Sequence, residues 1–418
     1  MNNINLPEHW KKAQLKEIAS LRRESIQPED DLSLSYVGLE HIDSGESQLK
    51  RWGDASEVKS TKSRFYPDDI LYGKLRAYLD KVVIAEMEGI CSTDILVVTA
   101  NSKTIPRFLV YLLHTPLLIR RAVTTSTGVN HPRTSWNSLG EFTFALPPLP
   151  EQRAIAHVLQ TIQEAKFTRQ REIALERERK AALMDHLFSH GTKDEPRKQT
   201  EIGEIPESWE AVRLGNYCYK PDYGYTESAN DAPVGPKFLR ITDIQNDAVN
   251  WENVPYCIYS EAVKEKYLLK TGDIVIARIG ATTGKAYIID DCPEAIFASY
   301  LIRVRTKGNL LPTFLAQYFR TNNYWKQIDQ SKGGRLKGGV NIPILNHLVL
   351  PFPSFSEQQE IAETLQACDT KITALQQEEQ HLDELFHAML DELMTGQRSA
   401  VPLINSRKTE PTTQSEYS

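Results

Sequence analysis

The segment Gly280-Ala-Thr-Thr-Gly-Lys-Ala286 has the residue types of a phosphate-binding loop, a glycine-rich turn followed by a lysine. Its spacing is wrong for that role. Three residues separate Gly280 from Gly284 where four are needed, and Ala286 stands where a Ser or Thr must ligate magnesium. Metal-assisted phosphodiester cleavage needs clustered carboxylates with a lysine. Neither Pro67-Asp68 nor Pro221-Asp222 is followed within its own module, 1–150 or 205–353, by an acid-x-Lys step. An adenine methyltransferase would carry an Asn/Asp-Pro-Pro-aromatic step, whereas Leu146-Pro147-Pro148-Leu149 has no amide or carboxylate to hold the amine. The 10 histidines form no His-Glu-x-x-His motif and no close His/Cys cluster, which argues against zinc. Cys91, Cys218, Cys257, Cys292 and Cys368 are odd in number and never paired as C-x-x-C, so they read as reduced structural thiols. The expectation is a chain that is not an enzyme and binds no metal or cofactor of its own.

The remaining chemistry is recognition. Arg and Lys suit guanine, and Asn and Gln suit adenine. Two polar loops offer them: Thr125 to Asn137, with Asn130, His131, Arg133 and Trp136, and Ser331 to Asn341, with Lys332, Arg335, Lys337 and Asn341. Lys74, Arg76, Arg278 and Lys285, in equivalent strand-turn regions, are the next candidates. For each residue base reading, phosphate contact and no contact stay open, because glycine-rich basic loops commonly hold phosphates. Gly280 to Ala286 reads as a tight strand-turn-strand, either purely structural or bringing Lys285 to DNA. Tyr223 and Tyr225 either face DNA or pack within their loop. The net charge of -6 hides an uneven distribution. No acidic residue occurs from Asn101 to Gly140, and only Asp329 is acidic between Leu301 and Leu350.

These residues sit in a sequence that repeats at about 200 residues, too long a period for a solenoid. LPEHW from Leu6 matches IPESW from Ile205; DDILYGKLRAYLDKVVIAE from Asp68 echoes GDIVIARIGATTGKAYIID from Gly272; and LPPLPEQ from Leu146 matches LPFPSFSEQ from Leu350. A long helical pattern follows each proline hinge, ending in LFSHG and LMTG. In the second pattern Ile361, Leu365, Cys368, Ile372, Leu375, Leu382, Phe386, Met389 and Leu393 make a nearly continuous seam. The first has Lys166, Arg169, Glu176 and Lys180 at central seam positions. A helix of this length, roughly 60 Å, must bury its seam, and the acidic second helix suits the first. The expected fold is mixed α/β (α+β): two tandem domains joined by two long antiparallel helices in a coiled coil, with pseudo-twofold symmetry. The expected boundaries are a first domain over 1–150, a helix over 151–190, a linker over 191–204, a second domain over 205–353, a helix over 354–396 and a disordered tail over 397–418. No run approaches the roughly 18 apolar residues of a membrane helix, so a soluble cytoplasmic protein is expected.

The ordered motifs resemble the specificity subunits of type I restriction-modification systems over nearly the whole chain. They are Leu6, Pro7 and Trp10 with Ile205, Pro206 and Trp209, then Pro147, Pro148, Pro150, Glu151 and Gln152 with Pro351, Pro353, Glu357 and Gln358. The resemblance implies two target recognition domains, each reading one half of a split duplex DNA site, with the helices setting the gap. It implies as partners two modification subunits, which methylate adenine at N6 with S-adenosylmethionine, and two restriction subunits, which use ATP and magnesium. Two rivals remain open: a coiled-coil adaptor without base reading, and a stand-alone enzyme with a loop-borne nucleotide site.

Overall fold

The computed structural model describes residues 7–245, 247–331 and 338–402. The chain forms two compact units, one from residues 1–170 with 377–418 and one from 171–376. Both are mixed helix and sheet, and both follow the same plan. In the first unit a four-stranded antiparallel sheet runs in the order Ala19–Leu21, Ile95–Ala100, Ile70–Gly73, Val82–Ile84. In the second the order is Asp222–Tyr223, Leu301–Val304, Ile274–Ala277, Ala286–Ile288.

The central strands read as unbroken apolar runs because both of their faces are buried. Successive strand residues point to opposite faces. Ile70 and Tyr72 therefore enter one core, shared with the helices, while Leu71 enters a second, smaller core. Ile274 and Ile276 divide from Val275 in the same way. The smaller core of each unit lies beside a short parallel pair, Ser35–Val37 with Gly89–Cys91 and Lys237–Leu239 with Ala295–Phe297. Asp69 and Asp273, the acidic residues of the echoed strand motif, are buried structural groups. Asp69 accepts from the Tyr66 amide at 2.9 Å and pairs with Arg22, and Asp273 accepts from the Lys270 amide at 3.1 Å. Burial pushes the Cys91 and Cys218 thiols up to about 12, so neither is a reactive thiolate near neutral pH.

The proline hinges lead into helices Leu149–His190 and Phe355–Met394. Each unit takes the start of one helix and the end of the other. Ile155, Leu159 and Ile162 join Phe386, Leu390 and Leu393 in the first core, and Ile361 and Leu365 join Met184, Leu187 and Phe188 in the second. The helices run antiparallel in both. The charged seam of the first helix, whose register against the second the sequence leaves open, is answered by acids on the second. Lys166 Nζ lies 2.5 Å from Asp383 and Arg169 Nε 2.6 Å from Glu378 in the first unit. In the second unit Lys180 Nζ lies 2.5 Å from Asp369, and Glu176 pairs with Lys371. Burial alone would raise the Asp369 carboxyl, but Lys180 and Arg320 outweigh it and hold it below its ordinary value. Asp369→Ala is expected to cost about 2 kcal/mol in urea unfolding, less than a fully buried pair because the carboxylate keeps some solvent access.

The repeated Pro-x-x-Trp and Glu-Gln motifs meet in space. Trp10 Nε1 donates to Glu151 at 2.9 Å, and Trp209 Nε1 donates to Glu357 at 3.1 Å. The adjacent glutamine ties the helix start to its own domain. Gln152 accepts from the Ile105 amide at 3.1 Å and donates to the Lys103 and Pro147 carbonyls, while Gln358 accepts from the Leu311 amide at 2.8 Å and donates to the Asn309 and Pro353 carbonyls. The glycine that ends each helix packs on the same motif. Gly191 and Gly396, both at φ 73°, end the first and second helix. A Cβ at Gly191 would lie 2.7 Å from Glu357 and 3.0 Å from the Trp209 ring, and one at Gly396 would lie 2.7 Å from Pro7. Gly191→Ala is expected to lower stability by about 2 kcal/mol, from left-handed backbone strain and crowding together. Gly203→Ala, also at positive φ but with nothing within 4 Å of the new Cβ, carries only the strain and is the control in the same urea series.

Candidate nucleic-acid interface

In the first unit the sheet and the polar loop converge on one surface. The strand Ile70–Gly73 runs into Lys74, Leu75 and Arg76, and the segment 127–134 folds back over them. The Thr134 amide donates to the Lys74 carbonyl at 3.0 Å, and the Arg76 amide donates to the Pro132 carbonyl at 2.8 Å. Arg76 itself is in the left-handed region at φ 53°. Arg76, Asn130 and Arg133 are exposed and Lys74 is half-buried. Ser135 caps the helix Trp136–Gly140 that follows, which fixes the exit of the loop.

The second unit repeats the geometry. Arg278 ends the strand Ile274–Ala277, and Lys285 lies across the turn, its carbonyl accepting from the Ala277 amide at 2.9 Å. Gly280 to Ala286 is thus the tight turn between two antiparallel strands. The Val340 amide donates to the Arg278 carbonyl at 2.9 Å, as Thr134 does to Lys74. The Arg278 guanidinium sits 4.6 Å from the centre of the Tyr223 ring, so Tyr223 serves as a platform for the cation. Tyr225 packs within the unit, 5.7 Å from Tyr267. Lys332, Arg335 and Lys337 lie outside the described residues, as do Leu6 and 403–418 of the tail.

The sequence model of the type I restriction modification DNA specificity domain matches residues 7–177 and 198–384. The chain belongs to that family. It is 25% identical over 411 residues to the type I restriction enzyme MjaVIII specificity subunit of Methanocaldococcus jannaschii, covering 95% of this chain and 94% of the relative. It is 24% identical over 415 residues to the putative type I restriction enzyme MjaX specificity subunit of the same organism, covering 94% of each. In fold it is similar to the S subunit of a type-I restriction-modification system from M. genitalium, with TM-score 0.61 at 14% identity over 94% of this chain and 98% of that one. As a type I specificity subunit, the chain recognises DNA sequence through two domains, works beside restriction-modification partner subunits and is itself non-catalytic. Among the described residues, no helix is long and apolar enough to cross a membrane, and no three His, Cys, Asp or Glu residues gather as a metal site.

In this specificity subunit the raw count of basic residues overstates the positive surface. Arg303 is buried, pairing with Asp222 at 2.6 Å and donating to the Leu268 carbonyl. Arg320 pairs with Asp369 at 3.0 Å. The sequence reading also missed Asp94. Its carboxylate takes both Nε and Nη2 of Arg133, at 2.8 and 3.2 Å, across 39 residues of chain. The Lys74 amide donates to the Asp94 carbonyl, and the Arg278 amide donates to that of Tyr300, so the exposed Tyr300 is the counterpart of Asp94 in the second unit. A difference at matched positions is what two distinct half-sites would require. No local signal marks Asp94, because its partner is remote in sequence.

The Arg133 hydrogen bonds hold the Asp94 carboxyl below its ordinary value of 3.8. A depressed carboxylate stabilises the fold above its unfolded value and loses that contribution as pH falls through the folded one. The anchorage of the loop is therefore expected to persist through neutral and mildly acidic pH and to fail only below about 4. Asp94→Asn should remove it at all pH values. Hydrogen exchange of the Thr127 and Arg133 amides checks both outcomes.

Proposed function

We propose that the chain reads a split duplex target, one half-site per unit, and presents it to partner subunits for adenine-N6 methylation or ATP-dependent cleavage. The first unit supplies Lys74, Arg76, Asn130 and Arg133; the second supplies Arg278 and Lys285, together with Lys332, Arg335 and Lys337 from beyond the described residues. The observation that carries the reading is the repeated backbone bond, Thr134 to Lys74 and Val340 to Arg278, which joins a basic strand end to a polar loop in both units. Two modification subunits would bring S-adenosylmethionine, and two restriction subunits would bring ATP and magnesium, in the cytoplasm. The long helices, each running through both units, set the gap between half-sites.

Four residues added to both helices, after Gln170 and after Gln376, lengthen each by about 6 Å and turn it by about 40° net. The unspecified gap in the target is expected to grow by one or two base pairs, measured by binding to duplexes of graded gap length. An unchanged gap would contradict a spacing role. The coiled-coil adaptor makes a different prediction: changing Lys332, Arg335 and Lys337 to Ala would leave target binding as it is, whereas base or phosphate contact predicts a loss.

A further inference from the structure

The loop of the first unit carries at its tip a side chain with no structural duty. Val129 is 98% exposed, while no other large hydrophobic among the described residues exceeds 64%. The tip is nonetheless held firmly. The Thr127 and Arg133 amides each donate to the other's carbonyl, at 3.0 and 2.9 Å, closing a short hairpin around residues 128–132. Gly128, at φ 101°, makes the turn possible, since a Cβ there would meet the His131 carbonyl oxygen at 3.0 Å. Arg76 and Asp94 anchor the base of the hairpin from the sheet side. The hairpin thus presents Val129, held in place and uncovered, to whatever binds this face of the unit.

The charge around it says what that is. No acidic residue occurs from Asn101 to Gly140, the Asp94 carboxylate at the base of the loop is spent on Arg133, and Lys74 and Arg76 lie beside it. The occupant is a polyanion, and resting on the reading of this unit as one half-site reader, it is duplex DNA. We propose that Val129 and Asn130 together read one A·T pair through the major groove. That edge presents the N6 donor and N7 acceptor of adenine beside the C5 methyl of thymine. An asparagine amide matches the first pair of groups, and valine methyls match the last. A G·C pair has no methyl, and the minor groove exposes none, so the Val-Asn dipeptide is complementary to this pair in this groove alone.

The test uses the full chain in complex with its modification subunits and duplexes carrying the mapped target. Each thymine of the first half-site is replaced in turn by deoxyuridine, which lacks only the methyl. One replacement is expected to weaken binding about fourfold, the value of one buried methyl group. Val129→Ser should bind the thymine duplex about fourfold more weakly and no longer distinguish it from the deoxyuridine duplex. Asn130→Ala should lose about tenfold and relax preference at the same pair. Both side chains are exposed, so unchanged melting temperatures are the check that the variants fold. Deoxyuridine silent at every position, a first half-site without an A·T pair, or Val129→Ser that still discriminates would overturn the proposal while leaving the half-site reading intact. A wild-type complex that binds its mapped duplex no better than a shuffled one sinks the half-site reading, and this proposal with it.

Discussion

Trp209→Ala is expected to destabilise the second unit by about 3–5 kcal/mol, the largest effect of any single change considered. Trp209 is fully buried, its indole N–H is spent on Glu357, and its ring lies against the glycine that ends the first long helix. Truncation removes the ring from a core that includes Leu187, Phe188 and Ile361, and it also leaves Glu357 buried with one partner fewer. Against a typical domain stability of about 5–15 kcal/mol, that loss is a large fraction of the whole. Trp209→Phe separates the two contributions, keeping most of the packing and giving up the hydrogen bond, for about 1–3 kcal/mol. Urea unfolding followed by circular dichroism measures both. Equal and small losses for the two variants would mean that the helix ends dock by some other contact.

The second large effect falls on DNA. Arg278→Ala with Lys285→Ala is expected to weaken target binding by the assembled complex about 100-fold. The salt dependence tells how. If both side chains hold phosphates, the slope of log affinity against log salt falls by about 2 and all sequences suffer alike. If Arg278, steadied on Tyr223, grips a guanine instead, the loss is concentrated on one base pair of the target. A change below threefold would remove these residues from the interface.

Much of this was legible in the sequence because the same physical problem is solved twice. A Trp that must bury its N–H needs a fixed acceptor, and a helix start joined to a hinge needs an amide that can bridge both. Hence Trp10 with Glu151 and Gln152 recurs as Trp209 with Glu357 and Gln358. The two long helices and their antiparallel pairing followed from an apolar seam too long to leave in water. The charged centre of the first helix was harder, since a seam position holding Lys166 or Lys180 looks like a gap until Asp383 and Asp369 are known to lie opposite. The glycines were visible only as sequence ends; that Gly191 and Gly396 pack on Pro-x-x-Trp motifs far along the chain depends on which helix end reaches which unit. Residue type singled out Arg133 as a candidate but gave no sign of Asp94, whose carboxylate holds its guanidinium.

The most direct test of the central claim is to express the chain with the modification subunit of its own system and map N6-methyladenine across the host genome. The account predicts a split motif with a fixed unspecified gap, one half of which changes when the residues of one unit are exchanged for those of a relative. A stable complex that leaves no new methylation, or a motif that is continuous and indifferent to the exchange, would contradict it.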